Sequence, residues 1–494
     1  MSLHAQLSPE AIRALKAQNR NSRATSIVIA AATITLAGLI LALLGLDSFE
    51  LRTKPPEYSF HTTVKDPPVK PETTTSFRST SNPAPAAPNR FLVARMPSDL
   101  SLPQPDFVSP TINPSSGSTE GAGIGGDGVD WEPEGEDGIP TPPLQRCSKS
   151  ERLARLQERG GTAAIDEAVA NTLRWLKRAQ NEDGSWGEKH KVGMTGLTLL
   201  AYLGRCETPV SLEFGESCTL GVVYLLDLAA KNEGRMATNL NDKHWPYEHA
   251  IATYALAEAL SFAPLHGYNI PGHRQAVQEA GQWIIDHQHP SGGWDYNYDK
   301  TSGRGGDLSI AGWHLQALKA CQLTGVEFRN LKSCIKKGLE YVERMQGATG
   351  GFGYTGPPGA SQAHPPLTGV GTLSLQIWGK EARSSTRKGI DSLRKRPAFA
   401  FDSEWADLYA HYYASQALLR AGGRDWTAYN KTFAPELLSA QKDDGSFPKP
   451  GAGGKLQAAA PLYASDSKDG LVYRNALCAL MLEVYYRYLP ATGG

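Results

Sequence analysis

Hydrophobic and polar positions divide the chain into three regimes. The first is a single run, IVIAAATITLAGLILALLGL over Ile27 to Leu46, uncharged and with only Thr33 and Thr35 as mildly polar groups. As a helix it spans about 30 Å, the thickness of a bilayer's hydrocarbon core. It has no polar stripe, as a helix buried in a soluble core would. A cleaved signal peptide is the rival reading. Its apolar region is usually about 7–15 residues long and ends at a small-residue site; here the exit reads Leu-Asp-Ser-Phe-Glu. The second regime, 47–150, has no period at all. The third, from about residue 163 onwards, alternates two kinds of helical pattern. Stretches such as AVANTLRWLKRAQ and AVQEAGQWIIDHQ carry apolar residues at i, i+3 and i+4. Stretches such as MTGLTLLAYL, AIATYALAEAL, LSIAGWHLQALKA, LTGVGTLSLQIW, LYAHYYASQALL and VYRNALCALMLEVYY are apolar on nearly every face and belong inside. Strand signals are nearly absent.

Charge and composition sharpen this division. The tail before the apolar run carries Arg13, Lys16, Arg20 and Arg23 against Glu10 alone. Positive charge favours the cytoplasmic side. The expected layout is therefore a cytoplasmic tail (1–24), a transmembrane signal-anchor helix (25–46), an acidic Pro/Gly/Ser-rich disordered linker (47–150) and a helical domain (151–490). That makes a single-pass membrane protein whose folded domain is periplasmic or extracellular. In the linker, 17 of the chain's 33 prolines fall between Leu51 and Ser150, and EGAGIGGDGVDWEPEGED holds seven acids and no base. Such a stretch buries too little apolar surface to offset its ordering entropy. The acidic tract fits no calcium-loop spacing. Lys and Arg total 50, as do Asp and Glu, which leaves no net charge and excludes a strongly basic nucleic-acid binder.

The helical region is repetitive. Gln180, Gln288, Gln346 and Gln441 each end a helical stretch, and each is followed six residues later by an aromatic: Trp186, Trp294, Phe352 and Phe447. The intervals suit a repeat of about 52 residues with two degenerate copies, near Asp227 (LDLAAKNEGRM) and Arg394 (LRKRPAFAF). Each repeat reads as an amphipathic outer helix, a Gly-rich turn and an apolar inner helix. The expected fold is all-α: one α/α toroid of about six helical hairpins. The Gln and aromatic residues read as structural staples.

This Gln-x-x-x-Gly-x-aromatic repeat resembles the QW repeat of squalene–hopene cyclases and the related protein prenyltransferase β-subunits, over roughly Ala163 to Leu489. The stretches DLYAHYYASQAL and LEVYYRYLP also resemble those of membrane-tethered bacterial toroid proteins. The resemblance implies the toroid. It does not carry over the chemistry. Squalene cyclases protonate from an Asp-x-Asp-Asp run, which is absent; the nearest stretch is Gly305-Gly306-Asp307-Leu308-Ser309. The magnesium-binding Asp-Asp-x-x-Asp run, the zinc-binding Asp-x-Cys pair and the Gly-Cys-Gly-Glu-Gln thioester are absent too. Fold alone does not give function.

In such a toroid all inner helices run the same way, so their N-termini share one rim. That rim should carry Lys189, His190, His244, Glu248, His249, Arg304, Asp307, His364, Asp402, Glu404, Asp407 and Asp469. Six helix N-termini suit anionic groups or capping carboxylates. Asp307, Glu248 and Asp407 are the candidate catalytic acids, Asp307 and Asp407 doubling as N-caps. His244, His249, Tyr254, Arg304, Trp313, His411 and Tyr413 are the candidate ligand-binding residues, and Glu258 is a further acid within an apolar helix. Tyr254, Trp313 and Tyr413 suit an aromatic cavity. No metal site is expected, because His244 and His249 do not share a helix face; no cofactor is expected.

Two functional readings remain open. One is a ligand-binding or scaffold module, tethered to the membrane, with an apolar or anionic ligand in the toroid and no nucleic acid. The other is an isoprenoid- or lipid-processing enzyme, of terpene cyclase-like or transferase type, with a non-standard acid site. For the cysteines, the hairpin turns suggest Cys206–Cys218 and Cys321–Cys334 as disulfide candidates, with Cys478 a buried thiol and Cys147 free in the linker.

Overall fold

The structure, a computed structural model, describes residues 146–359, 366–451, 456 and 461–487. The expected signal-anchor span at 25–46, the tail before it, most of the linker and His364 lie outside the described residues. Among the described residues no helix is long and apolar enough to cross a membrane.

Among these residues the domain is all-helical; the only strand-like feature is one isolated bridge, Gln346 to Phe352. A leading helix, α1 (Lys149–Glu158), is followed by six hairpins. Their outer and inner helices are α2 (Ala163–Arg178) and α3 (Lys191–Gly204), α4 (Gly215–Lys231) and α5 (Trp245–His266), and α6 (His273–Asp286) and α7 (Leu308–Leu323). Then come α8 (Leu331–Arg344) and α9 (Thr368–Ile377), α10 (Ser384–Arg394) and α11 (Leu408–Ala421), and α12 (Gly423–Ala440) and α13 (Lys468–Leu482). A short α14 (Val484–Arg487) ends the described chain. The inner helices pack in sequence, α3 on α5, α5 on α7, and so on to α13, which packs back on α3. The outer helices close likewise, α12 on α2. This is the six-hairpin α/α toroid, and the two degenerate repeats are α4 and α10 with their partners.

Outer helices bury one stripe: α2 buries Ile165, Ala168, Val169, Thr172, Leu173 and Leu176. Inner helices are buried all round; every residue of α3 from Val192 to Gly204 is buried. The glutamines act as staples. Gln288 Nε2 donates to Gly292 O in its own loop (2.8 Å) and to Cys334 O in the first turn of the next outer helix (2.8 Å). Gln180 and Gln346 repeat the pattern with Ser217 and Ser385. Gln441 bonds Ala168 O (2.8 Å) and so ties the sixth hairpin to the first. Trp186 and Trp294 are fully buried, and each indole N–H donates to a carbonyl of the preceding outer helix, Leu176 O or Ile284 O. The loop glycine between Gln and aromatic must be glycine. Gly292 has φ +94°, and a Cβ there would sit 2.2 Å from Lys337 O.

The cysteines depart from the expectation. The disulfide joins Cys147 to Cys206; Cys218, Cys321, Cys334 and Cys478 are free and buried. Neither hairpin pair is bonded. Cys218 lies on the core face of α4 beside Tyr202 and Tyr268. Cys321 Sγ faces Gly281 of α6 rather than Cys334 on α8. Cys206, just past the end of α3, has φ +64° and turns its sulfur to the start of the domain. Cys147 is thus part of the folded body rather than a free linker thiol, and Arg146 beside it is buried. Cys478 is a buried thiol, as expected.

Candidate functional site at the N-terminal rim

The N-termini of the inner helices do share one rim, and carboxylates hold them together. Asp469 on α13 reaches the loop before α3, accepting from the backbone N–H of Glu188 (2.8 Å), Lys189 (3.0 Å) and His190 (3.2 Å). Glu248 on α5 takes Gly193 N–H of α3 on Oε2 (3.1 Å) and pairs with His190 Nδ1 on Oε1 (3.1 Å). That hydrogen bond raises the His190 pKa. Asp307 and Asp407 are N-caps, as expected: Asp307 accepts from Ser309 N–H (2.8 Å) and Asp407 from Ala410 N–H (3.1 Å). Asp407 also accepts from the Tyr463 hydroxyl (2.8 Å).

Asp307 is the most distinctive of these acids. It is 3% exposed. Desolvation raises its pKa above the ordinary carboxylate value, against the opposing pull of the Ser309 N–H and Arg304. Its Oδ2 meets Arg304 Nη2 at 3.0 Å, and Arg304 also faces Asp295 (3.6 Å) and stacks on Tyr296, 4.7 Å from the ring centre. Around this acid stand tyrosines that sequence reasoning passed over. The Tyr247 hydroxyl bonds Ser309 Oγ, and the Tyr409 hydroxyl reaches Ser309 O (3.5 Å). Tyr247 packs on Tyr296 (6.2 Å between ring centres) and Tyr409 on Tyr413 (5.2 Å). The Asp307 charge helps raise the pKa of both Tyr354 and Tyr409, although burial is the larger cause for each. Tyr247, Tyr296, Tyr354, Tyr409 and Tyr473 all keep part of their surface in solvent. The available signal was a tyrosine in the first two turns of three inner helices: Tyr247, Tyr409 and Tyr473.

The other expected residues separate. Trp313 and Tyr413 do meet (5.6 Å), and Tyr412 stacks on Trp313 (5.5 Å); all three are fully buried and come from α7 and α11, the inner helices on either side of α9. They fill the space expected to be an aromatic cavity. Tyr254 lies deeper, where Arg487 stands 5.9 Å from its ring. His249 and His411 point away from the rim, toward the outer layer. His249 accepts from Met236 N–H (3.0 Å) and donates to Ala280 O (3.2 Å). His411 pairs with the Tyr429 hydroxyl (2.9 Å) and Trp405 O (3.2 Å). Burial pushes the pKa of both down to about 3. His244 is exposed and pairs with Asp242 (3.1 Å), apart from His249. Lys189, Asp402 and Glu404 are exposed.

The opposite rim, where the inner helices end, is also built of charge, but of arginines. Arg146 pairs with Glu258 (2.7 Å), as does Arg487 (2.5 Å); Arg152 and Arg205 share Asp166 (3.1 and 3.0 Å). Cations suit helix C-termini. Glu258 is therefore half of a buried ion-pair network. Among the described residues the only three metal-ligand-type side chains that converge are at this rim: Cys147, Cys206 and His266.

No protein-family model matches the chain, and no curated protein matches it. Among solved structures it is similar to the type II terpene cyclase MstE from Scytonema. A point variant of that enzyme in complex with the product merosterolic acid A shares 15% identity at a TM-score of 0.42, covering 69% of this chain and all of that one. Another point variant, with the substrate geranylgeranyl dihydroxybenzoate, shares 13% at 0.41 over the same lengths. The apo enzyme shares 13% at 0.41, covering 65% of this chain and 98% of its own. A likeness this distant carries nothing about activity.

Proposed function

We propose that the domain processes an apolar molecule of isoprenoid or lipid type, taken up at the N-terminal rim, with Asp307 as the acid. The observation that carries this reading is the Asp307 carboxyl: buried, with a raised pKa, at a rim whose phenol rings are part-exposed. The tyrosine faces offer an apolar chain contact area and favour positive charge that develops on it after protonation. Arg304 is the positioning residue, holding the second oxygen of Asp307. Asp407 and Glu248 are capping acids in the same rim. The Cys147–Cys206 disulfide supports placement of the domain beyond the cytoplasmic membrane on its N-terminal anchor, in an oxidising compartment.

A second reading has its own support. Trp313, Tyr412 and Tyr413 pack against one another between the inner helices. Rings packed in this way suit a module that binds a ligand at its rim without turning it over. One experiment separates the two. Full-length protein in detergent is incubated with geranylgeraniol and with squalene, and products are resolved by gas chromatography with mass spectrometry. The acid reading expects new isomers from wild type and none from Asp307→Asn of unchanged circular dichroism. Quenching of tryptophan fluorescence by either polyprene without conversion establishes the binding module instead. Neither conversion nor quenching refutes both.

A further inference from the structure

The group at the opposite rim points to a metal site. We propose that Cys147, Cys206 and His266 form a redox-gated site for a thiophilic divalent cation of the Zn2+ class: closed as a disulfide, open to metal when reduced.

The three residues come from separate elements. Cys147 precedes α1, Cys206 follows α3, and His266 is the last residue of α5. His266 Nε2 lies 3.5 Å from each sulfur. With metal–sulfur bonds of about 2.3 Å and a metal–nitrogen bond of about 2.0 Å, a tetrahedral site has S···N edges of about 3.5 Å and an S···S edge of about 3.8 Å. Two of the three ligand edges are therefore already at the length a bound ion needs. Only the sulfur–sulfur edge must open, and reduction opens it. The Cα atoms are 5.0 Å apart, so small side-chain rotations suffice.

The surroundings suit an ion. All three residues are partly exposed, so the site is reachable and a water can take the fourth position. Two arginines flank the cysteines, and both are paired with acids: Arg146 with Glu258 at 2.7 Å, Arg205 with Asp166 at 3.0 Å and Glu207 at 2.6 Å. Two thiolates and a divalent cation add no net charge. Cys206 holds a left-handed backbone, φ +64°, unusual for a residue with a Cβ and a conformation that functional positions retain. The four other thiols do not compete, being buried with pKa values raised by desolvation.

The reaction balances with a thiol reductant. Two reductant thiols become one disulfide, while Cys147 and Cys206 each gain a hydrogen. Metal binding then releases the two thiol protons. The disulfide and the metal form exclude each other, and either one fastens the start of the domain to the inner ring.

The test uses full-length protein in detergent, oxidised or reduced with excess dithiothreitol and then desalted without oxygen. Zn2+ is titrated calorimetrically, and Co2+ is added in parallel to read thiolate-to-metal charge transfer in the near ultraviolet. Reduced wild type is expected to bind one equivalent of Zn2+ and show the band; oxidised protein is expected to do neither. Cys147→Ser should abolish both, and His266→Ala should weaken Zn2+ at least tenfold and change the Co2+ spectrum. Circular dichroism checks that each variant remains folded. Should Cys147→Ser not fold, reduced wild type alkylated at its exposed thiols takes its place. No Zn2+ bound by folded reduced protein overturns the site; so does binding that survives loss of Cys147, or an affinity and spectrum unchanged in His266→Ala.

Discussion

Replacing Asp469 with alanine should unfasten the toroid at its seam. The carboxylate is 2% exposed and accepts three backbone N–H groups from the loop before α3, at 2.8, 3.0 and 3.2 Å, across some 280 residues of chain. A hydrogen bond to a charged acceptor contributes about 1.5–3 kcal/mol net. The three do not sum, because the loop side chains Glu188 and Lys189 are exposed and water can reach part of the vacated backbone. A loss of about 3 kcal/mol is the working figure. At about 2.1 cal/mol/K of unfolding entropy per residue, a domain of this size shifts by about 1.4 °C per kcal/mol, so the midpoint should fall by about 4 °C. Asp469→Asn keeps the volume and one acceptor and should fall roughly half as far. The assay is thermal unfolding followed by near-ultraviolet circular dichroism, with exposed Asp402→Ala as the surface control. Limited proteolysis should also cut the 184–190 loop first. If Asp469→Ala and wild type melt within about 1 °C of each other, closure does not depend on this carboxylate and the argument fails.

Other outcomes test other parts of the fold. Gly292→Ala forces a Cβ into the left-handed region and 2.2 Å from Lys337 O, so it should cost about 3 kcal/mol or more, seen as a lower urea midpoint; an unchanged midpoint would show that the loop can move. Acid should unfold the domain early. His249, His314 and His411 are pushed down by burial to about 3 and His273 to about 4, below the unfolded value of about 6.5. The unfolded chain therefore binds more protons below pH 6.5. The contribution is full above that pH and is lost as pH falls towards 3–4, by up to about 1.4 kcal/mol per unit for each histidine. Equal urea midpoints at pH 7 and pH 5 would contradict it.

The toroid was legible because its determinants are local and repeated. A glutamine that bonds its own loop four residues on, and a glycine that must have positive φ, recur at fixed offsets. So do helices with one buried stripe or none exposed. The capping roles of Asp307 and Asp407 were readable for the same reason. What escaped was long-range or a matter of facing. Cys147 finds Cys206 59 residues away, and Glu258 finds Arg487 229 residues away; no period announces either partner. His249 and His411 sit in helices buried on all sides, where the apolar pattern cannot say whether a polar residue faces the ring or the outer layer. Trp313 and Tyr413 do touch, but whether two rings line a space or fill it depends on the ring of helices behind them.

The rim acids look alike in sequence and differ in how their oxygens are held. Glu248 commits one oxygen to a backbone N–H and the other to His190, and Asp469 commits both to backbone. Freeing an oxygen of Asp469 would uncap a loop. Asp407 Oδ1 serves both a helix N-terminus and the Tyr463 hydroxyl. Asp307 divides its labour differently. Oδ1 holds the first turn of α7 through Ser309 N–H, while Oδ2 meets the guanidinium of Arg304, whose side chain is 44% exposed. Asp295 at 3.6 Å and the Tyr296 ring hold the same guanidinium in place over that oxygen. For the acid role proposed above, the cap and the arginine take different oxygens of Asp307: the cap fixes the carboxyl in place, burial raises its pKa, and Arg304 covers the oxygen that would carry the proton.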